Sequence, residues 1–114
     1  MAGRYRFEAH RRLRKRGEFL AVQSSGRKRH ARCFVVLSKP RTDGELSGRL
    51  GITVSKRVGP AVVRNRVKRL VREYARLSGW VPQGKDVVVI AKPKAASLPG
   101  LREVWDDLES VAIA

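Results

Sequence analysis

The sequence has 114 residues, 42% of them hydrophobic, and a formal net charge of +16. Such a chain suits one domain that folds without disulfides or metal, but its charge far exceeds the roughly 2 to 8 units that keep a small domain soluble, so a polyanion is the expected partner, nucleic acid first. No apolar run approaches a membrane span, no signal-like segment opens the chain, and the single cysteine, Cys33, cannot form an internal disulfide; a cytoplasmic setting is expected.

Residues 1–16 are arginine-rich, with Tyr5, Phe7 and Leu13 as their only large apolar groups. This stretch reads as an extended basic arm that orders only on contact, part of a single domain spanning 1–114. Phe19, Leu20 and Val22 predict a short helix over 18–23, ended by Ser24-Ser25-Gly26. The basic run 26–32 reads as a solvated loop. Cys33 to Leu37 is β-branched and aromatic and predicts a strand; Pro40 to Gly48 then reads as a hairpin loop. In Arg49 to Ser55, strict alternation assigns Leu50, Ile52 and Val54 to a core face, and Gly51, Thr53 and Ser55 to the open face of a sheet covered on one side.

Gly59 and Pro60 open an amphipathic helix in which Val63, Val67, Leu70, Val71, Tyr74 and Leu77 recur at three- and four-residue spacing. At 100° per residue, Arg64, Asn65, Lys68, Arg69, Arg72 and Arg76 fall opposite that stripe, with Arg66 and Glu73 at its edge. Asp86 to Ala91 predicts a further strand. Residues 98–113 predict a last helix started near Ser97, with Leu101, Val104, Trp105, Leu108 and Val111 on one side and acids on the other. The fold class is α+β, with helices covering a sheet.

No catalytic constellation emerges. His10 and His30 lie in arginine-rich segments without a neighbouring carboxylate, Asp106 and Asp107 point about 100° apart on a helix, and Cys33 reads as a core thiol. No zinc spacing or phosphate-binding loop is present. By contrast, six basic residues between Arg64 and Arg76 are opposed only by Glu73. Mixed charges are the rule on a solvated helix face, so a face of one sign points to phosphate binding. Arginine outnumbers lysine more than two to one, which favours forked contacts to phosphates and stacking on bases.

The segment Ser55-Lys56-Arg57-Val58-Gly59-Pro60-Ala61-Val62-Val63-Arg64-Asn65-Arg66-Val67-Lys68-Arg69-Leu70-Val71-Arg72-Glu73 closely resembles the signature of the bacterial ribonuclease P protein subunit. The likeness extends to Arg12-Leu13, Glu18-Phe19, Gly26, the Phe34 strand and Val87 to Pro93. It implies an α-β-β-β-α-β-α chain with a four-stranded sheet, similar to the second domain of ribosomal protein S5, with a left-handed crossover around the basic helix. It also implies an accessory role in an endoribonuclease: the RNA subunit, with Mg²⁺ held mainly by that RNA, removes the 5′ leader of precursor tRNA.

Carried over, Lys56, Arg57, Arg64, Asn65, Arg66, Lys68, Arg69 and Arg72 would face the catalytic RNA. Phe19, Gln23, Arg32, Leu37, Thr53, Ser55 and Lys92 would line a leader cleft on the open sheet face. Gln23 and Leu37 stand where that family commonly has aromatic residues, so stacking is expected to matter less here. Neither a protein-bound metal nor an oligomer is indicated. Other readings are a structural ribosomal RNA-binding protein, a transcription factor using the basic helix for recognition, and a nuclease acting without RNA.

Overall fold

The computed structural model describes residues 11–111 and 113. Helix α1 runs Arg16–Ser25. Its entry is held by Glu18, whose Oε1 accepts the backbone N–H groups of Arg14 (3.0 Å) and Lys15 (3.1 Å), taking up donors that the first turn leaves unpaired. Gly26 follows as its C-cap, its N–H donating to the Val22 carbonyl.

Strands β1 (Arg27–His30), β2 (Phe34–Pro40) and β3 (Arg49–Thr53) come next, then helix α2 (Ala61–Ser78) and strand β4 (Lys85–Ala91). A 3₁₀ turn over Pro93–Ser97 leads to helix α3 (Leu101–Glu109). The sheet order is β1-β2-β4-β3. β4 is antiparallel to β2 and parallel to β3, so α2 is the crossover between two parallel neighbours.

Several expectations change. The basic run 26–32 contains a strand, β1, paired antiparallel to β2 with Arg27 opposite Ser38 and His30 opposite Val35. Residues 40–48 do not close a hairpin, because β4 lies between β2 and β3. The last helix starts at Leu101, since Ser97 is held in the 3₁₀ turn, its hydroxyl donating to the Lys94 carbonyl. Pro60 caps α2 from outside it, and Leu77 is exposed. Of the basic arm, residues 1–10 lie outside the described residues. Its end is seated: Leu13 is buried and donates its N–H to the Leu50 carbonyl at 3.0 Å, and Arg12 bridges to Leu50.

Alternation along the strands divides the core. Phe34, Val36, Leu50, Val87 and Val89 face α2 and α3, meeting Val67, Val71, Tyr74, Val104 and Leu108. Tyr74 lies between Trp80 and Trp105, with ring centroids 5.4 and 5.0 Å away. The opposite face is not open throughout. There Leu37 and Val88 pack with Leu13 and Val22, and Phe19, Val35 and Ile90 lie against them. α1 therefore covers half of the face assigned to solvent.

One ionic group ties these layers. Arg49 donates from Nε and Nη2 to both Asp86 oxygens at 2.8 Å and from Nη1 to Glu18 at 2.7 Å, linking β3, β4 and α1. The forked pairing holds the Arg49 proton more tightly than usual, Asp86 contributing most and burial opposing it.

Candidate nucleic-acid interface

Helix α2 presents its charges on three lines because its buried stripe, Val67, Leu70, Val71, Tyr74 and Ala75, fixes its rotation. Arg64, Lys68 and Arg72 follow the edge towards α1 and β3, Asn65, Arg69 and Arg76 the outer ridge, and Arg66 and Glu73 the edge towards α3. Lys56 and Arg57 are exposed in the turn before the helix, which closes with the Val58 N–H on the Ser55 carbonyl at 3.1 Å while Val58 is buried as its anchor. Gly59 has φ +153 with Val63 packed against it, a backbone state few side chains adopt. Arg64 Nε donates to the Gly59 carbonyl at 3.1 Å, which fixes the turn to the helix and leaves its terminal guanidinium nitrogens for a ligand.

Arg66 departs from expectation. Its Nη2 donates to the Leu98 carbonyl at 2.8 Å and to the Pro99 carbonyl, bracing the link between the 3₁₀ turn and α3. It points to the protein, not outward with Asn65, because it lies on the side of α2 that faces the Leu98–Pro99 link.

Beside the α1-facing edge lies a groove of about 540 Å³ lined by Arg14, Arg16, Phe19, Leu20, Gln23, Ile52, Thr53, Val54 and Lys68. It brings together Phe19, Gln23, Thr53 and Lys68 from the expected set. Phe19 is fixed by the sheet: a Cβ on Gly51 would stand 2.5 Å from its ring, so the glycine makes room for the aromatic. Arg72 sits at an adjoining small cavity with Arg12, Leu13, Phe19 and Gly51. Burial first, and the neighbouring Arg12 charge second, lower the Arg72 pKa.

Four expected cleft residues lie elsewhere. Leu37 is buried under α1, because it falls on the row α1 covers. Ser55 lies past the end of β3, where its carbonyl accepts the Val58 N–H. Lys92 donates from Nζ to the Ala31 carbonyl at 2.8 Å, at the β1–β2 turn. Arg32 lines a separate cavity of about 700 Å³ with Cys33, Lys94, Glu103, Asp106 and Asp107. Val35 and Ile90 were missed. The register aligns His30, Val35, Ile90 and Thr53 across all four strands, forming the row next to the one α1 covers. Their setting in continuous apolar runs hid this partial exposure.

Among the described residues no acid–base machinery is assembled. Asp107 is spent on the protein, its two oxygens accepting the Arg32 and Cys33 N–H groups at 2.9 Å. Cys33 is buried, and burial, with the Asp107 charge after it, pushes its thiol pKa up, away from nucleophilic use. His30 is exposed on β1 and His10 lies outside the described residues. The arrangement is suited to holding an anionic polymer.

A family model described as Ribonuclease P matches residues 7–112. The chain belongs to the ribonuclease P protein family. It is 47% identical over 108 residues to the ribonuclease P protein component of Desulforapulum autotrophicum, covering 93% of this chain and 89% of that one. Against the component from Shouchella clausii it is 45% identical over 101 residues, covering 88% and 81%. Among solved structures, the Staphylococcus aureus RNase P protein matches with a TM-score of 0.79 at 34% identity, covering 89% of this chain and 91% of that one. The Thermotoga maritima RNase P protein matches at 0.76 and 36%, covering 87% and 92%. The chain is thus a subunit of the ribonuclease P holoenzyme, an endoribonuclease of tRNA processing, and its partner is the ribonuclease P RNA. None of these relatives is a ribosomal protein. Among the described residues no helix is long and apolar enough to cross a membrane.

Proposed function

We propose that this subunit docks on the ribonuclease P RNA through Lys56, Arg57, Arg64, Asn65 and Arg69, and holds the single-stranded 5′ leader of precursor tRNA in the groove beside α1. The observation that carries this is the adjacency of two surfaces: the basic edge of α2 forms one wall of the Phe19–Thr53 groove through Lys68. A strand leaving the RNA-bound helix meets Lys68 and Arg72 first, then Phe19, Thr53 and Ile90. Phosphates would engage the guanidinium and ammonium groups, while one base would stack on Phe19. Gln23 offers an amide to a base edge where an aromatic would only stack.

Mg²⁺ would be held mainly by the RNA, and the chemistry would occur there, with the subunit acting in the cytoplasm. The protein's share is positional. It neutralises phosphates that would otherwise repel the approaching leader, lowering the Mg²⁺ concentration needed. The test is leader removal by the ribonuclease P RNA at low Mg²⁺ with and without the purified protein. Stimulation is expected, together with its loss in an Arg64→Ala/Arg69→Ala variant; no stimulation by the wild type would refute the proposal.

A further inference from the structure

We propose that the edge strand β1 is a second phosphate-contacting surface, taking up the part of a single-stranded RNA that has already crossed the groove. The inference rests on the reading that the leader lies beside α1, and extends it to where the strand goes next.

The argument starts from register. α1 begins over β3, where Phe19 meets Gly51, and ends at Gly26, where the chain enters β1. It therefore crosses the strands, and the uncovered row runs alongside it from Thr53 through Ile90 and Val35 to His30. With neighbouring strands about 4.8 Å apart, this path is about 14 Å long from β3 to β1, equal to roughly four nucleotides at the ~3.4 Å spacing of a stacked strand. Its middle is apolar, Ile90 and Val35, and accepts bases. Both ends are basic: Lys68 at one, β1 at the other.

All four β1 residues, Arg27, Lys28, Arg29 and His30, are exposed. Pairing divides them by face. Lys28 and His30 stand opposite Leu37 and Val35, on the groove side, whereas Arg27 and Arg29 stand opposite Ser38 and Val36, on the α2 side. The occupant that fits is a nucleic-acid strand. A protein strand added to this edge would draw its specificity from side-chain pockets, and β1 offers cations instead; a second copy would meet like charge. A purely protective role, charges that keep other strands off an exposed edge, is the competing explanation, and it makes no distinction between the two faces.

The test uses holoenzyme reconstituted with ribonuclease P RNA and precursor tRNAs with leaders of about two and about ten nucleotides, which bracket the roughly four-nucleotide path. The wild type is expected to bind the long-leader substrate several-fold more tightly than the short one. Lys28→Ala/His30→Ala should erase most of that gain, leave short-leader affinity unchanged, and reduce the salt slope of long-leader binding by about 0.7 for the lost lysine contact. Arg27→Ala/Arg29→Ala, on the other face, should retain the gain. An unchanged gain in the Lys28/His30 variant, alongside a gain lost in Phe19→Ala, would overturn the β1 assignment while sparing the groove. Equal losses in both β1 variants would show undirected attraction and overturn it too. No length-dependent gain in the wild type would remove the groove reading itself, and β1 with it.

Discussion

Arg66→Ala separates a brace from an RNA contact, since Arg64, Asn65 and Arg66 are adjacent in sequence but not in role. The Arg66 guanidinium reaches two carbonyls, of Leu98 and Pro99. Hydrogen bonds from a charged donor contribute about 1.5 to 3 kcal/mol each when shielded; Arg66 is half-buried, so about 1 kcal/mol apiece and about 2 in total is the working figure. For a domain of this size that corresponds to a fall in Tm of about 8 °C. The assay pairs thermal unfolding by circular dichroism with binding to ribonuclease P RNA across a salt series. Arg66→Ala is expected to lower Tm and leave the salt slope unaltered, whereas Arg64→Ala should reduce the slope by about 0.7 to 0.9 and lower Tm by about half as much, having one bond to the protein, to the Gly59 carbonyl, where Arg66 has two. Arg66→Lys retains the charge but is shorter and does not carry a donor to where Nη2 meets both carbonyls, so it should not recover Tm. A slope reduced in Arg66→Ala to the extent seen in Arg64→Ala, at unchanged Tm, would refute the assignment.

Other perturbations probe the layers beneath the site. Gly51→Ala places a methyl 2.5 Å from the Phe19 ring and should destabilise by about 1 to 3 kcal/mol, read as a lower urea midpoint, with weaker leader binding. Arg49→Ala strands Asp86 against the sheet and should cost about 3 kcal/mol, a loss partly recovered when Asp86→Ala is added, as a double-mutant cycle would measure. Glu18 has its pKa lowered, chiefly by the N–H groups of Lys15 and Arg14 and further by Arg49. A depressed carboxylate stabilises above its unfolded pKa and ceases to do so as pH falls through the folded one. The urea midpoint should therefore decline with acidification below the ordinary glutamate range of about 4.3, less steeply in Glu18→Gln.

Local periodicity carried far into this fold, and it failed where pairing is remote. The α2 stripe and the alternation of β3 were legible because burial repeats at the period of the element itself. β1 was not, since Arg27 to His30 has no apolar face and is a strand only through hydrogen bonds to β2. The hairpin between β2 and β3 failed for another reason: alternation assigns a residue to a face but names no neighbour, and β4, far along the chain, takes the place between them. For the site, Arg64, Lys68 and Arg69 stood out by charge on a fixed helix face, and the neutral Asn65 by its place between two arginines. Leu37 was misplaced and Ile90 overlooked, because the angle at which α1 crosses the sheet decides which row is roofed, and no residue of either strand encodes that angle.

The central position of β4 bears on synthesis. It is the last strand made, yet it is the shared neighbour of β2 and β3. Until Lys85 to Ala91 emerges, β3 has no strand partner and α2 has only part of its sheet to lie on. Every arginine of the docking helix is translated before the strand that closes the sheet, so a nascent chain exposes its polycation while still unfolded. Folding must then draw together segments remote in sequence, a slow class of topology, and a chain truncated before residue 85 retains the charge for RNA without the framework that aims it.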